Sequence, residues 1–399
     1  MAEVHLPAAS WTRRADLAAL VAALDPASAK ATCSGLVRYV GGAVRDTLLG
    51  LPVKDIDMAT PLEPQAVIAR LKAAGIRSVP TGLAHGTVTA ILEGGPVEIT
   101  TLRRDVSTDG RHATVAFSQD WAEDAARRDF TINALYADPR DLRVHDFFGG
   151  LVDLEARRLR FIGDPEARIR EDYLRILRYF RFQARFGSLP ADAAAEIACS
   201  ALAPGLKGLS RERIASELLA LLALPDPAPT VVRMADLGVL GVILPEADPA
   251  ALAPVLAAEA AHGIAPEPLR RLAALLPADP QLAEQIGARL RLSLAQRKHL
   301  ALVAARTTPE EAARPLAYKL GRQAALDRLL IAGLSPAALD GWAIPRFPLK
   351  GGMIVERGVS AGPEVARILR AVEARWVSEG FPDQARIEEL LSGELAKRD

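Results

Sequence analysis

The chain has 399 residues, half of them hydrophobic and a quarter charged, with 49 basic and 49 acidic side chains. That profile excludes a disordered polymer, and the length exceeds one ordinary core, so two or more domains are expected. Two cysteines, Cys33 and Cys199, exclude a disulfide framework and sit in no metal-like cluster, which makes a reducing cytoplasm the simplest compartment.

Neither a signal peptide nor a membrane span is expected, because Met1 to Leu20 lacks an apolar core segment and no apolar run approaches spanning length. Leu36 to Val40 is a short apolar run ended by Gly41-Gly42, and Ala43 to Leu49 reads as a helix. Pro64 to Ala74 reads as a second helix. Thr87 to Leu92 and Val97 to Leu102 are β-rich runs whose separator, Glu93-Gly94-Gly95-Pro96, suits a hairpin. Asp105 to Phe117 is polar and reads as a surface loop with Gly110 as a hinge. The first 150 residues are therefore an α+β region with a small mixed sheet.

Beyond Gly150 strand signals nearly vanish, and Pro and Gly punctuate helical stretches such as Asp172 to Arg185, Ser210 to Leu222, Leu252 to His262 and Leu294 to Arg306. Ile344 to Gly362 is proline- and glycine-marked and precedes a last pair of helices. No fixed-period repeat or sustained heptad is present, so an ordinary helical region is expected. Between Ala156 and Arg185 stand nine arginines (157, 158, 160, 168, 170, 175, 178, 181 and 185) against four acids. Zero net charge alone is neutral on the question of a polyanionic partner; this local excess is a field that attracts phosphates.

Asp55 and Asp57 are two residues apart, and on a strand both project from one face. Carboxylates so placed repel unless a hard cation neutralises them, and Mg²⁺ is commonly held this way together with phosphates. The alternative is a polar turn. Upstream, Gly41-Gly42 lets backbone amides approach a phosphate at a helix N-terminus, with Gly42 and Arg45 as contacts to a triphosphate. The alternative there is a plain strand-to-helix turn with a surface arginine. Glu98, flanked by Val97 and Ile99, faces away from the core and is either a third acid of a two-metal phosphoryl-transfer site or a solvated strand glutamate. His85 and His112 lack metal-ligand spacing.

Gly41 to Gly50 followed by Asp55-Ile56-Asp57 resembles the opening motif of polymerase-β-type nucleotidyltransferases, and more narrowly the class II tRNA CCA-adding enzymes and bacterial poly(A) polymerases. Four further blocks follow in that family's order: Arg127 to Leu135, Asp146 to Leu154, Glu171 to Arg178, and Ser210 to Ile214. The resemblance implies a polymerase-β-like head over residues 1–150, a helical neck for base recognition over 151–220, and a helical body and tail for tRNA over 221–399. It implies Asp55 and Asp57 as ligands of Mg²⁺, and Arg128 and Asp129 as contacts to the incoming nucleotide. Asp172 and Arg175, at i and i+3 of one helix, are either an intrahelical ion pair or the base reader that the family places there. A carboxylate accepts from the amino group of C or A while a guanidinium donates to the neighbouring ring nitrogen, and G and U present the reverse pattern. Arg178 and Arg181 then reach the base or the phosphates.

The function so implied is addition of C, C and A to tRNA from CTP and ATP, with no protein partner. Residues 105–117 resemble the family's loop for switching from C to A addition, and Thr81 to Thr87 resembles the CCA enzymes more than the poly(A) enzymes. A-only addition, poly(A) synthesis and a catalytically silent RNA-binding protein are the alternatives. Pro348 to Gly352, Gly362 to Val365 and Trp376 resemble the family's tail, from which Met353 departs where an acid is common.

Overall fold

A computed structural model describes residues 3–26, 35–109, 112–309 and 311–398, with backbone alone at 105–109 and 112–115. Cys33, Gly110 and Arg111 lie outside the described residues. The chain divides into two compact units, one of residues 1–209 with 233–243 and the other of 210–232 with 244–399.

Among the described residues the first unit has nine strands: β1 (Arg38–Val40), β2 (Ile56–Thr60), β3 (Ser78–Gly82), β4 (Thr87–Leu92), β5 (Gly95–Thr101), β6 (Arg103–Asp109), β7 (His112–Phe117), β8 (Leu135–Ala137) and β9 (Val144–Asp146). Seven of them form one mixed sheet in the order β3-β4-β5-β2-β1-β8-β9, and β6 pairs with β7 alone. Within the large sheet β2 and β5 run parallel while the other neighbours are antiparallel. The expected hairpin is present, with Val88 and Ala90 of β4 and Val97 and Ile99 of β5 fully buried at alternate positions. Strand β3 carries no such alternation; it contains Pro80 and sits at the sheet edge, where a missing N–H is tolerated. The polar stretch expected as a surface loop is instead the hairpin β6–β7. The pairing was hidden because polar residues and Gly110 dominate the start of the stretch and give it no clear hydrophobic period.

Among the helices that accompany these strands are α1 (Ala15–Leu24), α2 (Gly42–Leu48), α3 (Pro64–Ala73), α4 (Trp121–Ala126), α5 (Gly150–Glu155), α6 (Pro165–Glu171), α7 (Leu174–Phe186) and α8 (Ala193–Leu202). The helix expected from Asp172 to Arg185 is interrupted at its start, since Asp172 is extended (φ −155°, ψ 105°) and ends α6. Helix α7 is strongly two-faced. Tyr179, Phe180, Phe182 and Phe186 are buried, and Phe182 meets Phe130 at 5.3 Å between ring centroids. Arg175, Arg178 and Arg181 follow at three-residue intervals on its other side.

The second unit is helical, with Arg211–Leu222, Leu252–Ala261, Pro268–Leu275, Leu294–Ala304 and Arg322–Ile331 among its helices. Its core holds a fully buried ion network. Glu259 accepts from Arg270 Nη1 and Arg271 Nη2, both at 2.6 Å, and Asp327 accepts from Arg270 Nε at 2.8 Å and bonds His299 Nε2 at 2.7 Å. Further along, Trp376, Ile368 and Leu390 centre an apolar cluster against which Met353 packs, so the departure from an acid at 353 places an apolar side chain on an apolar surface. No helix among the described residues is long and apolar enough to cross a membrane.

Breaking a buried network by removing one partner strands its charges in a low-dielectric interior. Glu259→Ala is therefore expected to lower the unfolding free energy by about 3–5 kcal/mol. Guanidinium titration checks this, and a loss below about 1 kcal/mol would place these charges in contact with water.

Candidate active site

The parallel register of β2 and β5 sets Asp57 directly beside Glu98. Both residues sit between buried apolar neighbours, Ile56 and Met58 on β2 and Val97 and Ile99 on β5, so the strand period turns both acids to the same side. Asp55 stands one residue before β2 and is exposed. Burial, then the Glu98 charge, pushes the Asp57 carboxyl up to about 6; Arg128 opposes the shift and Asp55 adds to it. Three acids are thus within electrostatic reach of one another. Among the described residues no group of three His, Cys, Asp or Glu side chains is closed into a metal-binding arrangement. The donor chemistry nevertheless fits a hard divalent ion: oxygen ligands only, and a carboxylate whose ionisation is suppressed by burial and by the neighbouring Glu98 charge.

The Gly41-Gly42 turn lies next to these acids in the sheet, because β1 pairs with β2 and Val40 stands opposite Asp57. Gly41 has φ +70°, and a Cβ there would stand 3.6 Å from both Arg128 Nη1 and the Asn133 carbonyl oxygen. Positive φ is the reason for glycine at this corner. Arg128 is braced from behind. Its Nε donates to the Tyr136 hydroxyl at 3.0 Å and its Nη2 to Asp124 Oδ2 at 3.1 Å. Burial pulls this guanidinium's pKa down, but Tyr136 and Asp124 more than offset it and leave it raised.

Arg45 departs from expectation. It is buried, donating from Nε to Asp46 at 2.8 Å and from Nη1 to Asn133 Oδ1 at 2.5 Å, with its guanidinium 4.2 Å over the Phe186 ring. Burial lowers its pKa. The alternative of a surface arginine is corrected: Arg45 is an internal strut between α2 and α7, because the aromatic face of α7 closes over it, and its hydrogen bonds are spent on Asp46 and Asn133. Asp129 is likewise engaged: its Oδ2 accepts from Arg178 Nη2 at 2.6 Å and Nε at 2.8 Å, and its Oδ1 from Asn133 Nδ2 at 2.9 Å. Asn133 therefore links Arg45 to Asp129, and Asp129 to the arginine face of α7.

Asp172 and Arg175 do not share a helix face, since α7 begins only at Leu174. Asp172 Oδ1 accepts from the Leu174 N–H at 3.1 Å. Arg175 pairs with Glu171 at 2.5 Å and donates to the carbonyl oxygens of Arg168 at 2.9 Å and Arg127 at 3.4 Å. The ion pair formed is instead Glu171–Arg175, which joins α6 to α7 across the break. Arg181 lies 4.7 Å over the Phe182 ring.

Three supporting residues went unassigned in the sequence: Asp124, Tyr136 and Asn133. Asp124 stands three and four residues before Arg127 and Arg128, a helical spacing that signals its pairing with both. The block from Asp146 to Leu154 also acquires a physical account. Asp146 accepts from the N–H groups of Phe148, Gly150 and Leu151 at the start of α5, and buried Asp153 accepts from Thr131 at 2.7 Å and pairs with Arg158 and Arg160. A Cβ on Gly150 would meet the Thr131 carbonyl oxygen at 2.3 Å, so this contact admits only glycine.

Residues 37–160 match the family model of the poly A polymerase head domain, and residues 192–251 match the model described as a probable RNA and SrmB-binding site of polymerase A. Mitochondrial CCA tRNA nucleotidyltransferase 1 of Mus musculus is 35% identical over 376 residues, covering 89% of this chain and 86% of the mouse protein. The chain belongs to the CCA tRNA nucleotidyltransferase family. The human family member is also 35% identical, over 383 residues. A CCA-adding enzyme of Streptococcus pyogenes is 44% identical over 189 residues, 47% of this chain and 46% of that protein. The fold agrees with that of the Bacillus stearothermophilus CCA-adding enzyme in complex with CTP, at TM-score 0.73 and 24% identity over 96% and 98% of the two chains. A Thermotoga maritima CCA-adding enzyme complexed with tRNA shares it at TM-score 0.67, with 21% identity and 91% of each chain covered. Four of the five blocks that carried the resemblance to the CCA tRNA nucleotidyltransferases lie in the first unit, and the fifth, Ser210 to Ile214, opens the second.

Because the Asp57 pKa is raised in the folded chain, its contribution to stability is full below about pH 4 and is lost as pH rises through about 6. In chelator, Asp57→Asn is expected to stabilise the protein by about 2–3 kcal/mol at pH 8 and to have little effect near pH 4. Urea unfolding at the two pH values checks this, and an equal effect at both would remove Asp57 from the acidic pair.

Proposed function

We propose that this protein adds C, C and A in turn to the 3′ end of tRNA, using CTP and ATP as substrates and no nucleic-acid template. The observation that carries the reading is the full-length similarity to CCA tRNA nucleotidyltransferases together with the acids brought to one edge by the β2–β5 register. Asp55 and Asp57, with Glu98 beside them, hold the divalent cation, for which we propose Mg²⁺; bound there, the ion supplies neutralisation of phosphate charge and activation of the terminal 3′-hydroxyl. Gly41 and Gly42, which carry no side chain, admit the triphosphate to the turn that opens α2. Arg128, aimed along that turn, meets sugar or phosphate oxygens, and Asp129 keeps Arg178 on the same side of α7.

Base choice is assigned to Asp172 and Arg175. Asp172, extended between α6 and α7, stands one turn before Arg175, and Arg175 exchanges Glu171 for a base edge. The carboxylate accepts from the amino group of C or A and the guanidinium donates to the adjacent ring nitrogen, whereas G and U mismatch both groups. Arg178 and Arg181 extend that face toward the base and the phosphates. In this reading residues 1–150 carry the chemistry, 151–220 the base reading and 221–399 the tRNA. The cytoplasm is the compartment we infer from sparse cysteine and a free, buried Cys199 thiol, although the mouse and human relatives are named mitochondrial.

Incubation with Mg²⁺, CTP, ATP and tRNA transcripts ending at the discriminator base, at C and at CC tests the product directly. Extension that stops at CCA is expected; long A tails, A-only addition or no incorporation would each contradict it. Asp55→Ala is expected to lower nucleotide addition at least about 100-fold while tRNA affinity in a filter-binding assay stays within about twofold. Arg175→Ala is expected to admit GTP and UTP more than it slows phosphoryl transfer, and unchanged selectivity would take the base-reading role from Arg175.

A further inference from the structure

Asp124 belongs to α4, and its side chain is only 1% exposed. Its carboxylate is shared among four donors. Oδ2 accepts from the Tyr136 hydroxyl at 2.6 Å and from Arg128 Nη2 at 3.1 Å; Oδ1 accepts from Arg127 Nε at 2.8 Å and from the Arg103 backbone N–H at 3.4 Å. The phenol donates to Asp124, so its oxygen is turned to accept from Arg128 Nε at 3.0 Å. Asp124, Tyr136 and Arg128 thereby close a ring of three hydrogen bonds, with the guanidinium 5.3 Å over the Tyr136 ring.

This ring fixes direction as well as position. A planar guanidinium held at Nε and Nη2 has one orientation left, and here it sets Nη1 beside Gly41, 3.6 Å from where a Cβ would stand. A flexible arginine next to Asp57 and Glu98 has a competing choice: it can fold onto those carboxylates. A buried counter-charge behind it removes that choice before a nucleotide arrives, which lowers the ordering cost of binding. The sheet supports the same geometry from the other side, since Tyr136 lies on β8 opposite Val40 of β1, one residue before the Gly41 turn.

We propose that Asp124 is a positioning residue for the incoming nucleotide: with Tyr136 it orients the Arg128 guanidinium toward the Gly41-Gly42 turn. This rests on the reading that Arg128 contacts the nucleotide. Asp124 itself touches no substrate and acts only through Arg128.

The full-length chain carrying Asp124→Asn, Tyr136→Phe, Arg128→Ala, and each of the first two combined with Arg128→Ala, tests this by steady-state addition to tRNA. Nucleotide KM, kcat, tRNA affinity and thermal midpoint are read for each. Asp124→Asn is expected to raise the KM for CTP and for ATP by about tenfold with tRNA affinity unchanged, and to add less than about twofold once Arg128 is Ala. Tyr136→Phe, the milder change, is expected to show the same dependence on Arg128 at smaller size. If Arg128→Ala raises KM but the Asp124→Asn effect is absent, or multiplies with it in full, Asp124 is not a positioning residue and the nucleotide role of Arg128 stands. If Arg128→Ala leaves nucleotide KM unchanged, the role of Arg128 fails and the assignment of Asp124 fails with it. Equal losses in KM, tRNA affinity and thermal midpoint on Asp124→Asn would mark a purely structural carboxylate and overturn the proposal.

Discussion

Asp57 and Glu98 are forced together by a backbone hydrogen-bond register, and the charge they concentrate is the constraint around which the first unit is arranged. Asp57 is largely withdrawn from water while Glu98 beside it is exposed, and burial first, the Glu98 charge second, raise the Asp57 pKa. A fold that tolerates such a pair holds it for a ligand that reverses the sign of the local field. Arg128 supplies part of that reversal, and a divalent ion with a nucleotide triphosphate would supply the rest.

The surroundings of the acids are fixed through charge-assisted hydrogen bonds rather than apolar contact. Arg45 joins Asp46 to Asn133, Asn133 joins Asp129, and Asp129 holds Arg178 of α7. Every link is short, and the two made by Arg45 are buried, where such bonds are strong and an unpaired member is costly. Beneath them Phe130, Phe161, Tyr179 and Phe182 pack ring against ring and lock α7 to the sheet side of the unit. The arginines of α7 are thus carried by a rigid aromatic face, as a site needs when its donors must be aimed before substrate binds.

How much of this was legible follows from which residues carry a period. Glu98 between Val97 and Ile99 is read correctly because alternation is the signature of a half-buried strand. Helices such as Arg211–Leu222 and Leu252–Ala261 emerge within a residue or two of their expected ends for the same reason. Strand β3 and the β6–β7 hairpin were invisible, one because it is a proline-bearing edge and the other because its first strand and turn are dominated by polar residues. The break at Asp172 was hidden inside a stretch that scores as helix throughout. The burial of Arg45 was not legible because arginine is ordinarily a surface residue, and only the fold reveals Asp46, Asn133 and Phe186 closing around it. Family resemblance named Asp129 and Arg178 but said nothing of their mutual ion pair.

The central claim is that the acids at the edge of β2 and β5 form a cation site completed by nucleotide. Titration with Mn²⁺ followed by electron paramagnetic resonance, with and without CTP, measures this most directly. Wild-type protein should bind Mn²⁺ with CTP-enhanced affinity, and Asp57→Asn should lose at least about tenfold in that affinity. Equal Mn²⁺ binding by the two proteins, with or without CTP, would contradict the account.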